Sequence, residues 1–199
     1  MPRPREFEIE AALDRALEVF WTRGYDATSL DDLQRAMRLS RSSIYMAFGA
    51  KHALFLACLE RYTRKVGAAL SAGAAQPLPA SRLLDRLITT VLELTSVGGG
   101  SRGCFLGNTS LELGGRDPVA RRRVRSGLRA VEGIFAQVVR RGIAEGEFRT
   151  TVQPARAAQF LTSGLQGILV MAKTGANRTT LAALRKAILS AVTRLEERP

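Results

Sequence analysis

The sequence predicts an all-α protein of about nine helices, with a small N-terminal head followed by a larger helical domain. Three observations carry this reading. Apolar residues recur at the i, i+3, i+4 spacing of a helix face in one segment after another. No β-branched run alternates with polar residues between turn signals. Gly and Pro cluster between the periodic segments, as in SAGAAQPLPA (71–80), which reads as a hinge or loop.

Taken in order, Ile9, Ala12, Leu13, Ala16, Leu17 and Phe20 form the inner face of a first helix, which Gly24 closes as its C′ residue. A short second helix begins in DATSLDDLQRAM, where Thr28 with Asp31, or Ser29 with Asp32, resembles a capping box. Leu30, Leu33 and Met37 line its inner side. A third short helix spans about 41–48 and a fourth runs from Lys51 to about Leu70. Beyond the hinge come a helix at about 81–96, the loop GGGSRG, and a short helix in CFLGNTSLEL. Asp117 or its neighbour then starts a helix reaching about Glu145, with Pro118 in its first turn. GEFRTTVQP connects to helices at about 154–173 and 179–197.

Composition narrows the function. The N-terminus has no apolar stretch after its basic residues, so no signal peptide is expected. The most apolar segment, 155–172, is interrupted by Gln159, Thr162, Ser163 and Gln166 and falls short of the roughly 20 apolar residues of a bilayer span. A cytoplasmic protein with no membrane partner is expected. Cys58 and Cys104 are the only cysteines and His52 the only histidine among 199 residues. That rules out a disulfide framework, a Cys/His zinc site and any triad needing a second histidine. The net charge of +12 invites a nucleic-acid reading, but residues 1–65 hold 11 basic against 9 acidic side chains. Most of the excess lies further along the chain, so charge alone decides nothing.

The stretch LSRSSIYMAFGAKHALF (39–55) is more telling. With Ser40 as N-cap, Leu39 and Ile44 occupy the two positions of a hydrophobic staple. Ile44 and Phe48, four apart, share one buried stripe. Arg41, Ser42, Tyr45 and Met46 are left on the outer side, together with the unpaired N–H groups of the first turn. The link Arg38-Leu39-Ser40 is too short for the second and third helices to lie antiparallel, so they cross as in a helix-turn-helix. In that motif the second helix enters the major groove with its N-terminal residues at the base edges.

The features FWTRGYDATSLDDLQRAM, LSRSSIYMAF and GAKHALF, in this order, make residues 9–66 resemble the N-terminal domain of TetR-type transcriptional regulators. The resemblance implies a three-helix DNA-binding head at 6–66, its helix-turn-helix at about 29–48, and a helical ligand-binding and dimerisation domain at 67–199. It implies phosphate contacts from Thr28 and Ser29 at a helix start. Ser40, Arg41, Ser42, Ser43, Tyr45 and Met46 would form the recognition surface, and Lys51 would reach backbone phosphate. Arg38 stands where the family usually has Gly, which implies an arginine at positive φ. Ala50 stands where Ser is frequent, so the fourth helix lacks a side-chain cap worth roughly 1 kcal/mol.

In the C-terminal part, Ser163, Gly164 and Gly167 on an all-round apolar helix permit close helix approach. Leu181, Leu184, Ile188, Val192 and Leu195 make a stripe on the last helix. Two such helices from each of two subunits would form a four-helix interface; ordinary intrachain core is the alternative. GCFLGNTSLE resembles a Gly-Cys-x-x-x-Asn-x-x-x-Glu run of one branch of TetR-type regulators. Cys104, Asn108 and Glu112 would share a helix face, either lining a ligand pocket or satisfying neighbouring backbone ends. Gly98, Gly100 and Gly103 match GxGxxG, but a helix rather than a strand precedes them, so a dinucleotide site is rejected. The arginines at 121, 122, 123, 125 and 129 read as a solvated helix face.

The expectation is a ligand-responsive transcriptional regulator, most simply a repressor. It would bind a near-palindromic operator as a homodimer and be released by a small-molecule effector, with no catalytic residues, cofactor or metal. The rivals are a small helical cofactor-dependent enzyme using Glu112 and a non-specific architectural DNA binder.

Overall fold

The computed structural model describes residues 6–97 and 100–192. Among these, nine helices follow one another: α1 (Glu6–Arg23), α2 (Leu30–Met37), α3 (Arg41–Phe48), α4 (Lys51–Ala74), α5 (Ala80–Thr95), α6 (Phe105–Leu113), α7 (Pro118–Ala144), α8 (Pro154–Lys173) and α9 (Arg178–Val192). The one departure from an all-helical chain is a two-residue ladder. β1 (Ser96–Val97) pairs antiparallel with β2 (Gly100–Ser101), Ser96 opposite Ser101 and Val97 opposite Gly100. The sequence predicts only a loop there, because two residues per strand are too few for alternation to show. Leu195 and the expected end of the last helix lie outside the described residues, as does Gly98.

Helix ends follow local chemistry. Gly24, at φ 83°, closes α1 with its N–H on the Phe20 carbonyl. Of the two capping boxes the sequence offered, the structure uses Ser29 and Asp32: Asp32 N–H donates to Ser29 Oγ at 3.1 Å, and Ser29 N–H donates to Asp32 Oδ2 at 3.0 Å. Asp117 caps α7, its Oδ1 accepting from Val119 N and Ala120 N, each at 2.9 Å. Asn177 does the same for α9 through Thr180 N at 2.9 Å. The helix α4 runs four residues past its expected end, through the small residues Ser71 to Ala74. Nothing in that stretch disfavours a helix strongly enough to stop one before Pro77.

The chain forms two compact units, the first comprising residues up to Lys65 together with Phe105–Arg125, the second Val66–Cys104 with the residues from Ser126 on. In the first, Ala12, Leu13, Ala16, Leu17 and Phe20 of α1 pack into a core with Leu33, Met37, Ile44, Leu54, Phe55 and Tyr62, all buried. Phe105, the first residue of α6, completes this core. Its ring lies edge-on to Phe55 and Tyr62, each at 5.7 Å, and tilted against Trp21 at 6.2 Å. Burying such a side chain is worth roughly 1.5–3 kcal/mol. The sequence places residues 67–199 in the C-terminal domain, while the contacts of α6 and the start of α7 group them with the first unit.

In the second unit, Leu83, Leu84, Leu87 and Ile88 of α5 and Ala157, Leu161, Leu165 and Ile168 of α8 are buried, and α9 packs on both helices. Arg185 of α9 pins α5 through Asp85 at 3.0 Å and the Thr89 hydroxyl at 2.7 Å. Glu147 caps α5 by accepting from Ala80 N and Ser81 N. Burial raises its pKa, but the Ser81 hydroxyl and the two N–H groups outweigh this and hold it below the usual range.

Candidate nucleic-acid interface

Residues Arg38 to Ser40 make the turn between α2 and α3. Arg38 sits at φ 58°, ψ 38°, the left-handed conformation, and is the non-glycine residue among those described to do so. Its side chain is exposed, so nothing is repaid by packing. Ser40 then caps α3, accepting from Ser43 N at 3.1 Å, and its Oγ also lies within hydrogen-bond distance of the Ser42 and Ser43 hydroxyls. Ile44 is fully buried and anchors the helix, whereas Tyr45 is 46% and Met46 85% exposed. Arg41 is exposed and pairs at 3.0 Å with Asp31 of α2, itself exposed. Such a surface pair contributes about 0–1 kcal/mol, so DNA can recruit this guanidinium with little loss.

The two residues expected at phosphate from the start of α2 separate. Ser29 is exposed at the helix N-terminus. Thr28 is 1% exposed and its hydroxyl donates to the Gly24 carbonyl at 2.6 Å. Thr28 therefore closes the α1–α2 turn from inside, and its burial keeps it from direct contact with phosphate, whereas the Ser29 hydroxyl donates to Asp32 Oδ2 at 2.7 Å but stays at the surface. Asp32 is held far below the carboxylate range, first by the Ser29 hydroxyl and then by the Ser29 N–H, with Arg35 and Arg23 adding to it. Lys51, the first residue of α4, stands with its ammonium 4.4 Å from the centre of the Tyr25 ring, a cation–π contact.

Glu112 departs from its expected role as a polar contact in a ligand pocket. Its Oε2 accepts from Tyr25 N at 3.0 Å and its Oε1 from Asp26 N at 2.8 Å. The carboxylate caps the α1–α2 turn, the alternative the sequence had left open. Asn108 lies one turn earlier on α6, half-buried, while the buried Cys104 precedes the helix and belongs to the second unit. On α8, a Cβ on Gly164 would meet Ile188 Cδ1 of the same chain at 2.7 Å, so Gly164 and Ile188 serve intrachain packing. Gly167 faces open space, and Phe160, Val170 and Met171 are exposed beside it. Leu181 and Leu184 are half-buried.

Sequence reasoning missed the pairings of Asp31 with Arg41, Tyr25 with Lys51 and His52 with Asp117. They rest on contacts between segments distant in the chain, such as His52 Nε2 on Asp117 Oδ2 at 2.6 Å. No periodicity signals such pairs.

Comparison with known proteins agrees with this geometry. The family model "Bacterial regulatory proteins, tetR family" matches residues 12–58, and "Tetracyclin repressor-like, C-terminal domain" matches residues 79–188. The HTH-type transcriptional repressor ComR of Escherichia coli is 30% identical over 88% of this chain and 84% of its own. A cysteine mutant of the TetR family transcriptional regulator CifR, complexed with 26 bp double-strand operator DNA, superposes with a TM-score of 0.80. It is 29% identical and covers 96% of this chain and 99% of that one. A TetR-family regulator from Cytophaga hutchinsonii shares the fold over both full chains, with a TM-score of 0.85 at 20% identity. The chain belongs to the TetR family of bacterial transcriptional regulators, DNA-binding proteins with a helix-turn-helix head.

Proposed function

We infer that this chain is a one-component repressor that binds a near-palindromic operator as a homodimer and leaves it when a small molecule occupies the second unit. One observation carries the DNA half: α3 is anchored by the fully buried Ile44 and presents Ser40, Arg41, Ser42, Tyr45 and Met46 outward from its first two turns. A helix that merely closed a core would not expose this set. Arg41 suits a guanine edge, while Lys51 and the first N–H groups of α2, beside the exposed Ser29 cap, suit phosphate. Ser43, half-buried and bonded to Ser40, supports the cap.

The ligand half is supported by Thr162 on α8, which is 4% exposed and whose hydroxyl has no hydrogen-bond partner among the described residues. A buried unpaired hydroxyl costs about 1–3 kcal/mol, which a polar ligand would offset. An effector shifts the equilibrium only by binding the DNA-incompetent state more tightly. The exposed seam of Phe160, Gly167, Val170 and Met171 on α8 fits a second copy better than Gly164 does. Among the described residues no single helix is long and apolar enough to cross a membrane, and work on chromosomal DNA puts the protein in the cytoplasm.

Footprinting on a duplex selected by the chain from a palindromic library tests this reading. One discrete protected site is the expected result; smeared protection along any DNA indicates an architectural binder instead.

A further inference from the structure

Residues 112–117, the end of α6 and the turn into α7, meet the α1–α2 turn and the start of α4 at three points. Glu112 accepts from the consecutive N–H groups of Tyr25 and Asp26. The Arg116 guanidinium holds the Asp26 carboxylate. Asp117 Oδ2 takes a hydrogen bond from His52 Nε2 while its Oδ1 caps α7. Gly24 accommodates the first of these: a Cβ there would lie 2.8 Å from Glu112 Oε2, and φ of 83° disfavours any other residue.

What these contacts hold is the part of the head that meets phosphate. The Tyr25–Asp26 turn leads directly into Thr28, whose hydroxyl closes it on Gly24, and Ser29, which caps α2. The ring of Tyr25 carries the Lys51 ammonium, and His52 is the next residue. A carboxylate spanning two consecutive N–H groups fixes the orientation of the peptides between them more firmly than water, which would only satisfy the donors. Movement of Glu112 would therefore disturb the start of α2 and the platform under Lys51 together.

We propose that Glu112 is a positioning residue for operator binding: its carboxylate holds the α1–α2 turn in the DNA-binding arrangement, and withdrawing it with α6 loosens both phosphate anchors at once. This rests on reading Lys51 and the start of α2 as phosphate contacts.

A double-mutant cycle on one wild-type-selected duplex, titrated at several salt concentrations, tests it. Glu112→Ala should weaken binding by about tenfold, the equivalent of one charge-assisted hydrogen bond. Glu112→Gln, which keeps one acceptor oxygen, should recover part of this. Amide exchange at Tyr25 and Asp26 should quicken in Glu112→Ala while core amides of α1 stay protected. Because Glu112 acts through the anchors, Glu112→Ala should cost clearly less in a Lys51→Ala background than alone. Losses that multiply independently overturn the proposal, since a general loss of stability gives that pattern. Unchanged affinity of Glu112→Ala overturns it too. If Glu112→Ala does not fold, the Glu112→Gln cycle decides by the same criterion. A Lys51→Ala chain with unchanged affinity and salt slope removes the phosphate reading and this proposal with it. A Lys51 effect with multiplicative losses removes only the role of Glu112.

Discussion

Arg41 and Lys51 lie ten residues apart and face DNA in different ways. Arg41 is in the first turn of α3, paired with exposed Asp31. Losing a bidentate base contact costs roughly 1–3 kcal/mol of discrimination at one base pair. Arg41→Ala should therefore flatten sequence preference at one position in each half-site of a selected library. Lys51→Ala should leave preference intact but lower the log–log salt slope by about 0.9 per subunit. Should Arg41→Ala weaken every sequence alike, base reading falls to Ser42, Tyr45 or Met46. Arg38 offers a separate test. Its left-handed backbone costs about 1–2 kcal/mol for a residue with a Cβ, partly offset by the lower unfolded-state entropy relative to glycine. Arg38→Gly should raise thermal stability modestly, and a lower Tm would show that the arginine side chain repays its strain.

At the scale of elements, α2 and α6 determine how firmly the head holds together. The α2 N-terminus depends on an ionised Asp32, whose folded pKa lies below the ordinary carboxylate value because of Ser29. A depressed carboxylate contributes stability that is present above the unfolded value of about 3.9 and lost as pH falls through the folded one. Asp14, lowered chiefly by Arg61, and Asp117 have the same sign; for Asp117 the bonds from Ala120 N–H and His52 prevail over burial. The head should begin to lose stability below about pH 4, and Asp32→Asn should show a shallower loss in acid unfolding monitored by circular dichroism. For α6, Phe105→Ala removes a ring packed among Trp21, Phe55 and Tyr62. It should cost about 3–5 kcal/mol of stability by denaturant unfolding, although residue 105 lies far from the head in sequence.

At the scale of the whole molecule, two units share one chain, and α4 and α7 each supply residues to both. The exposed apolar seam of α8 belongs to the second. Val170→Asp and Met171→Asp place charge where a second copy is expected, and sedimentation should show a monomer with weak operator binding. Gly164→Ala should instead destabilise the monomer, because its Cβ would enter the space of Ile188. If both charged variants remain dimeric, the seam is not the interface.

The sequence by itself determined the helical class, the order of the helices and the capped, outward-facing α3. These are properties of residues within a few positions of one another, where apolar spacing and cap chemistry act locally. It also implied the positive φ of Arg38 through its family resemblance. Tertiary structure alone decided that Thr28 is buried, that Glu112 caps a turn 86 residues away from it, and that Gly164 serves Ile188 of its own chain. A carboxylate four residues from an asparagine on a helix face has the same pattern whether it lines a pocket or caps a distant turn. Only the packing that brings α6 against the head chooses between them, since hydrogen bonds form between neighbours in space and periodicity records neighbours along the chain.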